Sequence, residues 1–217
     1  MESNKYLEDI VSIKSMMSKS SRFMSLSGLS GILAGIYALI GALVAHNILT
    51  TEQLTSGGAR YASVVGLINA YLAHPSGAKL FLVGCIVLMA AVVTGIILTI
   101  RKAKKHEEKI WDPSSRRLLI HFSIPLFTGG VFCVVLLQYG LIGLVAPCTL
   151  IFYGLALINA SKFTLGDIKY LGLANVIIGL VSTQYIGYGL YFWALGFGVF
   201  HIIYGTKMYL KHDMNKK

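Results

Sequence analysis

Well inside the apolar stretches of this chain, the candidates to ligate a metal or move a proton are two histidines, His121 and His201, with three cysteines and Ser182 beside them. Asn175 is the one amide among the small residues of its stretch. Two histidines at similar depth on different helices are the minimum for a bis-imidazole haem site, or for part of a metal site that needs further ligands. His121 and His201 are therefore the candidates for cofactor binding. No helix carries a second histidine at ligand spacing, and no acid stands nearby in sequence to complete a metal shell. The expectation is no resident cofactor and no metal, with His201 a neutral, hydrogen-bonded imidazole facing other helices. Asn175 is its expected neighbour, and the two form a candidate polar cluster. His46 and His74 fall at the opposite surface.

Hydrolytic chemistry finds no footing. The chain lacks HExxH, GxSxG, a Walker motif and paired intramembrane aspartates. Ser182 and His201 lie nearly two helical turns apart in expected depth, so they make no nucleophile–base pair. All nine Asp and Glu residues sit in loops or terminal segments, whereas ion-coupled transporters bury a titratable group. Cys85, Cys133 and Cys148 form no CxxC pair and read as small apolar side chains on helices. No catalytic residue is assigned, and the protein is expected not to be an enzyme.

The elements that hold these residues follow from composition. Of 217 residues, 55% are hydrophobic and 13% charged, about half the charged fraction of a soluble domain. That marks an all-α polytopic membrane protein. A span needs about 20 mostly apolar residues, and six stretches supply them or nearly do: 24–46, 78–100, 117–137, 140–158, 168–184 and 188–208. The last four pair into two tight hairpins through "QYG" (138–140) and "QYIG" (184–187). "YG" recurs at Tyr139–Gly140 and Tyr188–Gly189, and again at Tyr153–Gly154 and Tyr204–Gly205, so helices 3–4 and 5–6 read as repeated hairpins.

Net charge is +10, and its distribution carries the information. Seventeen of nineteen Lys and Arg fall in the N-terminal segment, the 101–117 loop, the 159–169 region and the tail, leaving Arg60 and Lys79. The positive-inside rule then places both termini in the cytosol. Contact with anionic headgroups follows for the Lys and Arg of 101–117, and nucleic-acid binding does not. Residues 1–23 read as a cytosolic amphipathic helix with no signal peptide, 47–77 as an outer loop, 101–116 as a basic cytosolic loop and 209–217 as a cytosolic tail. Within the outer loop, 61–73 is apolar but too short to span, and reads as an interfacial helix broken at Pro75 and Gly77. "WDPSS" (111–115) reads as a helix start, with Asp112 as cap and Pro113 in the first turn.

Small residues trace helix-packing seams. The fifth stretch carries Gly172, Asn175, Gly179 and Ser182 at helical spacing, and the sixth Ala194, Gly198, His201 and Gly205. The hairpin between them is expected to set these two stripes face to face. The fourth stretch carries Gly140, Gly143, Pro147 and Gly154, and the first Gly28, Gly31, Gly35, Ala38 and Ala42. Such seams serve tight packing, and the same residues would also leave room for a path.

The segment "LGLANVIIGLVSTQYIGYGLYFWALGFGVFHIIYG" (171–205) resembles a hairpin of the HdeD-type acid-resistance membrane proteins. It shares a glycine-spaced apolar helix, a short turn and an aromatic-containing helix ending in glycine. That family usually carries proline in its outer turns, where this chain has "QYG" and "QYIG". The resemblance implies a small multi-helix membrane protein of the bacterial cytoplasmic (inner) membrane and no particular activity. The reading of the sequence is a non-enzymatic accessory, sensing or stress-related subunit in contact with lipids, with a homo-oligomer or a membrane-protein partner. Two alternatives stand beside it: an oligomeric small-solute transporter or channel lined by the seams, and a haem or metal protein using His121 and His201.

Overall fold

The computed structural model describes residues 27–51, 63, 66, 75–105, 107, 110–164 and 166–214. Among these residues 87% are helical and none is in a strand. The helices are α1 (Gly28–Thr51), α2 (Pro75–Lys105), α3 (Pro113–Gln138), α4 (Val145–Ala160) and α5 (Ile168–Ser182). A 3-10 turn, Ile142–Leu144, leads into α4. The last rod is composite: α6 (Gly189–Trp193), a π-helical turn over Ala194–Val199, α7 (Phe200–Met208), and a second π-helical turn over Tyr209–Met214.

Among the described residues, five helical stretches are long and apolar enough to cross a membrane: Gly28–Thr50, Ser76–Lys105, Pro113–Gln138, Ile142–Ala160 and Gly189–Lys211. The stretch expected to span at 168–184 is shorter. As a helix it covers only Ile168–Ser182, 15 residues, which rise about 22 Å against a hydrocarbon core of about 30 Å. These apolar helices are those of an integral membrane protein.

Helix ends depart from the sequence expectation in ways that local chemistry explains. Residues 47–51, expected in a loop, continue α1. Pro75 and Gly77, expected to end a preceding helix that falls outside the described residues, begin α2. Proline lacks an N–H, which costs nothing in a first turn where that donor has no intrahelical partner. At its other end α2 takes in 101–105 of the basic loop, with Lys102, Lys104 and Lys105 in its last turn, where cations suit the helix dipole. The tail is also helical as far as Met214. The expected helix over 1–23 lies outside the described residues, as does the 61–73 segment apart from Ser63 and Gly66.

At α3 the start follows "WDPSS". The Asp112 carboxylate accepts from the Ser115 N–H at 2.6 Å, and the Ser115 hydroxyl lies 2.9 Å from the Asp112 N–H. With Pro113 next in line, this reciprocal capping box fixes the helix entry. The hairpin turns both need a left-handed glycine: Gly140 at φ 75 and Gly187 at φ 100.

Packing departs from chain order at the last rod, whose main partner is α1 and not α5. α2 packs on α1, α1 on the last rod, and α4 on both α3 and α5. The last rod also leans on α4 and α5. The stripes of the fifth and sixth stretches, expected to face each other, therefore have different partners. Gly172 of α5 meets Gly154 of α4: a Cβ on Gly172 would fall 2.7 Å from the Gly154 carbonyl oxygen, and a Cβ on Gly154 2.5 Å from that of Gly172. Gly179 is closed by Ile151 of α4. Gly205 of α7 instead meets α1, where a Cβ would lie 2.6 Å from the Ile32 nitrogen and 2.8 Å from the Gly28 carbonyl oxygen. Gly35 lies against Gly198, and Gly198 against Leu39. Periodicity marks which face of a helix is small; it does not say which neighbour fills the groove.

The outer faces stay apolar and open. Phe81, Leu88 and Ile96 of α2 and Ile124 and Phe127 of α3 are all exposed. On a membrane bundle this is the surface that lipid covers.

Candidate functional site

Three helices bring their polar groups to one turn of the last rod. From α4 comes Tyr153, from α5 Asn175, and from the rod itself Gly196 and His201. Gly196 sits within the π-helical turn, and His201 follows it by five residues. The His201 ring reaches back along its own helix, with Nδ1 2.9 Å from the Gly196 carbonyl oxygen. A carbonyl only accepts, so Nδ1 carries the proton. Nε2 is then the acceptor, and the Tyr153 hydroxyl donates to it at 2.7 Å. A neutral imidazole thus has both nitrogens engaged, the arrangement that makes burying it tolerable.

Aromatic rings enclose this pair. Phe197 stacks on His201 with centroids 5.9 Å apart and lies 4.9 Å from the Tyr153 ring. Trp193 continues the column at 4.9 Å from Phe197, and Phe122 of α3 meets Tyr153 edge-on at 6.1 Å. His201 is 7% exposed. It faces protein and is closed off from the acyl chains.

Asn175 is fully buried. Its amide nitrogen donates to the Leu171 carbonyl, one turn back on α5, at 2.9 Å. Its Oδ1 has no hydrogen-bond partner among the described residues. That oxygen packs against Gly196, where an added Cβ would fall 2.5 Å away. Asn175 and His201, expected as neighbours, thus meet the same glycine without bonding each other. The residue that does bond His201 is Tyr153. The sequence carried one signal for it: a tyrosine in the middle of an apolar helix needs a partner for its hydroxyl.

The remaining candidates are dispersed. His121 of α3 stacks on Phe163, in the α4–α5 connection, with centroids 4.7 Å apart. His201 spends both nitrogens on Tyr153 and Gly196, so a ligand on its Nε2 would have to displace the tyrosine. Among the described residues no group of three or more His, Cys, Asp or Glu is placed to hold a metal ion. His46 meets Tyr191 edge-on at 5.9 Å, and His74 lies outside the described residues. Ala194 opens the π-helical turn and is half-buried. Ser182 is fully buried, and its hydroxyl has no hydrogen-bond partner among the described residues.

A groove of about 460 Å³ lies at the turn between α5 and α6, lined by Tyr185, Tyr188, Tyr191, Phe192 and Leu195. None of these is a seam glycine or a histidine. The rings are exposed, apart from the half-buried Phe192, and cluster at a helix end, as aromatic side chains do where membrane meets water.

No protein family, no curated protein and no solved structure matches this chain. The class of the molecule therefore rests on its own features: apolar helices joined along glycine seams around a buried tyrosine–histidine pair.

Proposed function

We propose that this is a non-enzymatic integral membrane protein acting as an accessory, sensing or stress-related subunit, with lipid and a membrane-protein partner or further copies of itself as its contacts. The observation that carries this reading is the closure of the seams. Gly28, Gly31 and Gly35 are filled by the last rod, and Gly154 and Gly172 by each other's backbone. Residues that would line a solute path are spent on helix contact, which speaks against the transporter reading. The haem reading is weakened at His201, whose ring nitrogens are both hydrogen-bonded.

In this proposal the helices number six across the membrane, with α5 completing its crossing through the turns that flank it, and both termini lie in the cytosol. The basic 101–117 region and residues 1–23 form the cytosolic contact surface, the former also meeting anionic headgroups. The bacterial inner membrane is the proposed location, on the strength of the layout resemblance alone.

The test is purification of the full-length chain and of a form lacking residues 1–22 from native membranes in mild detergent. A stoichiometric partner retained by the first and lost from the second supports the proposal. A chain that purifies alone in both forms counts against it.

A further inference from the structure

Two of the three cysteines, read from the sequence as separate apolar side chains, come together in the fold. Cys133 is on α3 and Cys148 on α4, each seven residues from the Gly140–Leu141 turn, so the hairpin places them at the same level. Their surroundings are reciprocal. The Cys133 sulfur lies 3.9 Å from the carbonyl oxygen of Val145, one turn before Cys148. The Cys148 sulfur lies 3.9 Å from the carbonyl oxygen of Gly129, one turn before Cys133. A helical side chain covers the turn N-terminal to itself, so each sulfur reaches the patch that the other covers. Both sulfurs therefore lie in the α3–α4 interface. Close approach of the helices is secured at Gly129, whose missing Cβ leaves room for Phe152 of α4. Cys148 is buried, Cys133 partly so, and Cys85 stands apart on α2.

We infer that Cys133 and Cys148 are a redox site, a dithiol that organic hydroperoxides formed in the lipid convert to an intramembrane disulfide between α3 and α4. The chemistry balances within the pair. One thiol's sulfur attacks the distal peroxide oxygen; the S–O bond forms, the S–H and O–O bonds break, and the thiol's proton passes to the departing alkoxide oxygen, which leaves as an alcohol, giving a sulfenic acid. The second sulfur then attacks the first; the S–S bond forms, the S–O bond breaks, and the hydroxyl departs with the second thiol's proton as water. The hydroperoxide is reduced by two electrons and the dithiol oxidised by two. Reactant and product are both uncharged, so an apolar site bears no buried charge in either state. The structural consequence falls on α3, which packs on α4 and its leading turn: oxidation staples an edge helix to the bundle. This inference does not depend on the proposed partner.

The experiment treats the full-length protein in its membrane with cumene hydroperoxide, denatures it in SDS, labels free thiols with N-ethylmaleimide and maps them by mass spectrometry. The expected result is joint loss of label at Cys133 and Cys148, a cross-linked peptide containing both, recovery of label after tributylphosphine, and retention of label at Cys85. In Cys133→Ser the remaining Cys148 should instead stop at an acid trapped by dimedone. Label kept at both cysteines, loss at only one of them in the unsubstituted chain, or a cross-link between copies would overturn the inference. The mapping on the unsubstituted chain decides even if the serine variant fails to fold.

Discussion

The Tyr153 hydroxyl donates to Nε2 of His201 across the interface between α4 and the last rod, at 2.7 Å. This bond and the one from Nδ1–H to the Gly196 carbonyl keep an imidazole inside an apolar bundle without exposing it to lipid.

Removing the hydroxyl should cost what one interhelical hydrogen bond contributes in a membrane. Tyr153→Phe keeps the ring contacts with Phe197 and Phe122 but leaves Nε2 without its donor. A loss of about 0.6–1.7 kcal/mol is expected, read by reversible SDS unfolding. In a double-mutant cycle with His201→Leu, the second change should abolish the effect of the first. Equal effects of Tyr153→Phe with and without His201 would show that the bond contributes nothing.

The seams make a positional prediction. Gly205→Val would drive a Cβ to 2.6 Å from the Ile32 nitrogen, which is backbone and cannot swing aside. α1 and α7 must separate, at about 1–3 kcal/mol. Among the described residues nothing lies within 4 Å of a Cβ added at Gly84 of α2, so Gly84→Ala should stay within about 0.5 kcal/mol of the parent. Thermal unfolding in detergent separates the two outcomes, and similar melting points for both variants would contradict the close approach.

Asn175 predicts the opposite sign from an ordinary buried polar group. Among the described residues its Oδ1 is unpartnered and its Nδ2 serves only the Leu171 carbonyl, which is already an acceptor one turn back in the helix. Leucine has the same branched outline, so Asn175→Leu should be neutral or stabilising, since shape-matched apolar replacement removes an orphan acceptor. Asn175→Asp adds a charge with no counter-ion and should destabilise markedly. Far-UV circular dichroism melts would show both, and a large loss in the leucine variant would reveal a function for the amide oxygen.

The all-helical architecture and the approximate positions of the apolar stretches were legible because both follow from composition and length. Asp112 and Pro113 announced the start of α3 for equally local reasons. The small-residue stripes were legible as faces. Their pairing was not: a stripe on α5 is equally compatible with α4 or α7, and the turn at 184–187 favoured the wrong choice. Chain adjacency fixes antiparallel direction but leaves open which face of each helix meets the other. For the same reason His201 was placed beside Asn175 and found bonded to Tyr153. The meeting of Cys133 and Cys148 was available in principle, since both are equidistant from the 140–141 turn. It required knowing that both cysteines point into the α3–α4 interface, which spacing alone does not give. The π-helical turn over Ala194–Val199 carries no sequence signature that a regular 3.6-residue repeat would expose.

The central claim is that the glycine seams seal the bundle around the Tyr153–His201 pair and leave no aqueous path along it. Hydroxyl-radical footprinting of the protein in its membrane tests this most directly, because radicals generated from water mark the side chains that water touches. Strong labelling at Tyr185 and Tyr188, which are exposed at the α5–α6 turn, and none at Tyr153 and His201 is the predicted pattern. Labelling of Tyr153 and His201 on the scale of Tyr185 would reveal water along the seam and contradict the account.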